Sequence, residues 1–260
     1  MKNVILTSIF IGLWFISMTG CSPNEQSNSE EIELTVSAAA SLKDSLEEVK
    51  ELFEEEYPHV NVRFNFGGSG SLQQQISQGA PVDIFFSSSE PKFNTLIESG
   101  LIDEENNAPL LKNEIVLIAE TSNPSNLLSF KDLTNKKIEH IAIGIPETVP
   151  AGEYAKETLE YINIWNDVES KIVYAKDVRQ VLSYVETGNV GAGIVYRTDA
   201  LPSDKVIIIE SAVPDSHSAI HYPVGIIKGT KHFEAAKDFY YFLQKDDVLE
   251  VFENDGFITF

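Results

Sequence analysis

Apolar residues at Leu42, Leu46, Val49 and Phe53 fall three or four positions apart. That spacing lines one face of a helix and predicts one over 42–57. Short runs rich in β-branched and aromatic residues predict strands at 32–36 and 60–66. The alternation continues with a short helix at 72–76, a strand at 82–86 and a helix at 91–99, with Pro58, Pro81 and Pro91 at the unit edges, where proline is tolerated. Repeated βα units predict a mostly parallel sheet with helices on both faces.

The second half restarts the rhythm. Strands are expected at 115–119, 138–145, 171–175, 191–196, 206–209 and 222–227, with a helical turn at 129–133 and helices at 151–162, 178–187, 232–243 and 248–252. No repeat of a fixed solenoid period is present. The expected fold class is α/β, as two lobes: 32–112 with 228–260 forms the first, and 113–227 the second. Ligands of such sheets bind outside the carboxyl ends of strands, here in the cleft between the lobes.

The first twenty residues form a separate object. Lys2 precedes an apolar run from Val4 to Met18, too short to span a bilayer core of ~20 apolar residues and better read as a secretory signal. Small residues before the single cysteine resemble a bacterial lipobox, with Met18 where leucine is usual, so Cys21 is expected to become the lipidated first residue of the mature chain. Residues 21–31 have the polar composition of a flexible tether. The protein is therefore expected outside the cytoplasmic membrane, held to it by lipid alone.

Charge narrows the partners. Nineteen basic against 40 acidic residues give a net of −21, which repels nucleic acid and anionic membrane surfaces. One cysteine excludes an intramolecular disulfide framework and a cysteine-rich zinc site. The pairs and triplets Glu47-Glu48 and Glu54-Glu55-Glu56 read as solvated helix faces that could meet basic patches on a partner.

Four loops offer chemistry, because each joins a strand to a helix start with unpaired backbone N–H groups. In Ser37-Ala38-Ala39-Ala40-Ser41-Leu42-Lys43-Asp44, small side chains admit a ligand to the main chain, and Ser41 with Asp44 fits a capping pattern. Phe66-Gly67-Gly68-Ser69-Gly70-Ser71 is a glycine-rich turn that can point successive N–H groups inward. Pro150 starts a helix and leaves the Ala151 N–H without an internal acceptor. Asp177 is an N-cap with Gln180 completing the box, which leaves the Val178 N–H free. Helix N-termini attract anions without any ionised side chain. Tyr196, ending an apolar strand, adds a phenolic donor. Together they suggest oxyanion capture by neutral donors.

The segments AAASL (38–42), GSGSL (68–72), GAPVDIFFS (79–87), VPAGEYAKE (149–157), KDVRQ (176–180) and GIVY (193–196) resemble, in order and spacing, the periplasmic molybdate-binding proteins of ABC transporters. The resemblance runs from about Ile32 to Phe260. It implies a type II periplasmic-binding-protein fold, no cofactor, no enzymatic activity, a monomer, and delivery of a tetrahedral oxyanion, molybdate or tungstate, to a membrane permease. It places the ligand on Ser41 and Ser69 through hydroxyl and N–H groups, on Ala151 and Val178 through backbone N–H groups, and on the Tyr196 phenol. Molybdenum would be held only as molybdate through these residues. The second loop carries more glycine than the family's serine-rich loop.

Two rival readings remain open at this level, besides an adhesin or sensor with no transport role. One is a binding protein for another small anion, such as sulfate or a sulfonate. Arg179, one of three arginines with Arg63 and Arg197, borders the site and points outward or ties the lobes. The other is a cleft hydrolase using Ser69, although Gly67-Gly68-Ser69-Gly70-Ser71 breaks the G-x-S-x-G pattern at its last position. His217 and His221 lack a third ligand at metal spacing, and Asp83 reads as a structural carboxylate.

Overall fold

The computed structural model describes residues 31–122 and 126–260. The expected signal segment, the lipidated Cys21 and nearly all of the tether lie outside those residues. From Glu31 onward the chain forms one compact unit built on two sheets.

In chain order the elements are β1 (Ile32–Ala39), α1 (Lys43–Glu56), β2 (Val60–Gly67), α2 (Ser69–Ser77), β3 (Ile84–Phe86), α3 (Glu90–Glu98), β4 (Ile102–Lys112) and β5 (Ile115–Glu120). Then follow β6 (Ile141–Gly144), α4 (Pro150–Tyr161), α5 (Trp165–Val168), β7 (Ile172–Ala175), α6 (Val178–Glu186), β8 (Ala192–Tyr196) and α7 (Arg197–Ala200). The chain closes with β9 (Val206–Ser211), β10 (His221–Ile227), α8 (Phe233–Phe242), α9 (Asp246–Asn254) and β11 (Ile258–Thr259).

The first lobe's sheet runs β11-β4-β10-β3-β1-β2 and the second lobe's runs β7-β6-β8-β5-β9. Neither is mostly parallel. β1 pairs in parallel with β2 and β3, whereas β10 runs antiparallel to β3 and β4. β6 is parallel to β7 and β8, while β5 is antiparallel to β8 and β9. The reversals arise where the chain crosses between lobes, at Asn113–Glu114 and at residues 212–220, since a strand entering from the other lobe need not follow the βα direction. β10 already belongs to the first sheet, so the return expected at 228 comes seven residues earlier, at His221.

Alternation along β3 shows how the first sheet buries both faces. Ile84 and Phe86 join the core that contains Phe53 and Phe239, and Phe85 joins a separate cluster with Leu72, Phe93 and Leu96. In the second lobe, Val178, Val181, Leu182 and Val185 form the buried stripe of α6. Its packing on β8 is so close that a Cβ on Gly193 would come within 2.6 Å of Val185 Cγ2. That contact seats the last turn of α6 on the first residues of β8, and α6 runs back along the strand so that Val178 comes near Tyr196.

Candidate functional site

The site lies where the carboxyl ends of β1, β6 and β8 meet the starts of α4 and α6. A cavity of about 10 Å³ there is lined by Ala40, Ser41, Gly67, Gly68, Ser88, Val149, Pro150, Ala151, Val178 and Tyr196. Four of the five expected ligand positions, Ser41, Ala151, Val178 and Tyr196, thus share one cavity. Ser69 stands one hydrogen bond behind it: its Oγ accepts the Ser88 N–H at 2.9 Å and lies 3.1 Å from Ser88 Oγ. Ser88 itself is a site residue that the motif reading passed over. The signal was the serine run that follows β3, of which Ser87 and Ser89 are occupied with each other's polar groups and with the cap of α3.

Local structure explains each donor. Pro150 opens α4, and the Gly152 and Glu153 N–H groups return to the Val149 carbonyl, so Ala151 carries the N–H that the first turn leaves over. At α6 the Asp177 side chain accepts from the Gln180 N–H at 2.8 Å. The Gln180 side chain reaches back to the Lys176 N–H at 2.9 Å, one residue short of a full capping box. Both helices direct their positive ends at the same space.

Ser41 differs from its expected role. It caps nothing; its Oγ lies 2.9 Å from the Tyr222 hydroxyl. Asp44 instead pairs with Arg179, whose Nε sits 3.2 Å from Asp199 Oδ1. The guanidinium therefore ties α1 of one lobe to α6 and α7 of the other, beside the cavity and not in it.

The glycine-rich loop brings the backbones of the two lobes into direct contact. The Gly70 N–H donates to the Thr148 carbonyl at 3.0 Å, which removes it from the donors available to a ligand. A Cβ on Gly68 would lie 2.7 Å from Thr148 O, and one on Gly70 would lie 2.8 Å from Thr148 Cα. Glycine stands here because the opposing backbone leaves no room for a side chain.

The electrostatics are those of neutral donors. Among the described residues, no lysine, arginine or carboxylate lines the cavity. Burial pushes the Tyr196 phenol well above its ordinary value, and Tyr154 behind it likewise. Both hydroxyls lie 3.5 Å from the Ser88 carbonyl, at the outer limit of a hydrogen bond. They stay protonated and donate at any physiological pH.

The groups weighed for other chemistry lie in structural contacts. Asp83 accepts from the Thr35 N–H at 2.7 Å and from the Thr230 hydroxyl. His221 Nδ1 lies 2.9 Å from Glu90, and His217 Nδ1 lies 2.8 Å from the Ser218 carbonyl. No cluster of three metal-ligating side chains occurs among the described residues.

Residues 34–258 match the family described as bacterial extracellular solute-binding protein. A Bacillus subtilis protein with the provisional name ABC transporter substrate-binding lipoprotein YvgL is 50% identical over 254 residues, covering 96% of this chain and 97% of that one. The molybdate-binding protein ModA of Haemophilus influenzae is 36% identical over 227 residues, covering 86% and 89%. The periplasmic molybdate-binding protein of Azotobacter vinelandii superposes with a TM-score of 0.78 at 22% identity, over 86% of this chain and 98% of that one, which shows the two-lobed periplasmic-binding-protein fold. The chain belongs to the bacterial extracellular solute-binding proteins.

Proposed function

We propose that this protein captures molybdate, and tungstate with it, and delivers the ion to the membrane permease of an ABC transporter. The observation that carries the reading is the convergence at the lobe junction of two helix N-termini, the Ser41 hydroxyl and the Tyr196 phenol around one space, with no ionised side chain among the described residues of its wall. With the lobes closed that space holds about one water, so that the ion enters when the lobes part. Neutral donors can replace the hydration shell of a fully deprotonated oxyanion while the two helix dipoles meet its charge. Relatives named as molybdate-binding proteins support the choice of ion. Ser69 supports the site through Ser88, and Cys21 supplies the lipid anchor that keeps the protein at the outer face of the membrane.

The same wall accounts for selectivity. Phosphate near neutral pH keeps a proton that needs an acceptor, and a wall of donors leaves it unpaired at a cost of about 1–3 kcal/mol. Sulfate has the charge and shape of molybdate and differs in size alone. Tyrosine fluorescence, reported by Tyr196 and Tyr154, titrated in parallel with molybdate, tungstate, sulfate and phosphate tests the assignment. Saturation by molybdate and tungstate with weak or no response to phosphate is expected. Tight phosphate binding, or sulfate binding tighter than molybdate, would overturn it.

A further inference from the structure

Ser41 reaches the cavity with a hydroxyl whose orientation is decided outside it. Asn113 lies in the first crossover between lobes, and its Oδ1 accepts the Glu114 N–H at 2.8 Å. A backbone N–H can only donate, so the amide's orientation is settled by that bond. Its Nδ2 then donates to Thr198 Oγ1 at 2.9 Å and to the Tyr222 oxygen at 3.2 Å. Tyr222 is fully buried, and with its oxygen accepting from Asn113 its own proton has Ser41 Oγ, 2.9 Å away, as partner. The reverse arrangement, with Ser41 donating, would leave the phenol proton facing no acceptor in a buried place. Ser41 therefore accepts from Tyr222, and its proton is left to point into the cavity. Burial holds the Tyr222 phenol far above its ordinary value, so the relay does not titrate near neutral pH.

We propose that Tyr222, oriented by Asn113, is a positioning residue that holds Ser41 as a hydrogen-bond donor to the bound oxyanion and so biases the site against oxyanions that carry a proton. The proposal rests on the oxyanion reading above and adds the source of its donor polarity. It also links the site to the hinge, since Asn113 bonds at once to Thr198 of the second lobe and Tyr222 of the first.

The test is a calorimetric double-mutant cycle with sodium molybdate, repeated with phosphate. Tyr222→Phe keeps the ring, which packs edge-on against Tyr196 and Phe257, and leaves Asn113 bonded to Thr198. It should weaken molybdate binding about tenfold in the wild-type background and by less than about twofold once Ser41 is alanine. The ratio of molybdate to phosphate affinity should fall with it, which a loss of packing alone would not produce. Asn113→Asp offers the phenol an acceptor, turns the Ser41 proton away and should weaken molybdate more than Tyr222→Phe does. Wild-type affinity in Tyr222→Phe, or an undiminished loss in the Ser41→Ala background, overturns the relay. A wild-type protein that takes sulfate in place of molybdate overturns the choice of ion, and the same cycle is then read with sulfate. Binding of none of these ions overturns both.

Discussion

The two lobes bring different kinds of donor to one cavity. The first lobe contributes side chains: Ser41 directly, and Ser69 through Ser88. The second contributes mainly backbone, the N–H groups of Ala151 and Val178 at two helix starts, with Tyr196 as its one hydroxyl. A hydroxyl depends on its neighbours for direction, whereas a helix-start N–H is aimed by the fold itself. The first lobe's share is therefore open to removal by a single substitution, and most of the second lobe's share is not.

The sharpest way to break this comparison is to stop the lobes from meeting. Gly70→Val would drive side-chain atoms into the Thr148 backbone, and oxyanion affinity should fall about 100-fold or more by calorimetry while each lobe stays folded. Next come the hydroxyls. Ser41→Ala and Tyr196→Phe should each weaken molybdate by about 1–3 kcal/mol with little change in the circular dichroism spectrum. Unchanged affinity in both would remove the site.

A third test concerns the tie beside the cavity. Burial lifts the Asp199 carboxyl to about 7, against the pull of Arg179, from an ordinary value of 3.8. Between those values the folded state keeps a proton that the unfolded chain releases, so this group's contribution to stability falls as pH rises through that window and is level above it. Asp199→Asn should therefore gain melting temperature relative to wild type as pH goes from 4.5 to 7.5. A difference in melting temperature, variant minus wild type, that stays constant or falls over that range would contradict the assignment. The smallest effect is expected at the backbone donors: Val178→Ala keeps its N–H, and molybdate affinity should stay within about threefold of wild type.

Much of this was legible in the chain. The 3.6-residue stripe became the buried face of α1 at Leu46, Val49 and Phe53, with Leu42 buried at its N-cap, and Pro150 and the Asp177 cap opened α4 and α6 as read. β4 was not legible, because Asp103, Glu104, Glu105, Asn106 and Asn107 break any alternation and Pro109 argues against a strand. It is tolerated because Pro109 faces Pro223 of β10 next to a register shift, where two missing N–H groups coincide. The parallel-sheet expectation failed because βα spacing says nothing of strands that arrive from the other lobe. A residue's place at the cavity was readable where it followed from a local start signal, as at Ala151 and Val178. No such signal marks Ser88, Tyr222 or Asn113, whose roles depend on partners far away in the chain, 181 residues in the case of Ser41 and Tyr222.

The uncharged wall of the cavity has a kinetic corollary. A dianion approaching a body of net charge −21 is repelled at long range, and dissolved salt shortens the reach of that repulsion. On the proposed reading, a seated ion would meet no ionised side chain among the described residues of the wall, and salt would have no grip to loosen. Rising ionic strength should then speed arrival and leave departure alone, so uptake would improve in brackish surroundings, where a trap built on lysine and arginine would fail.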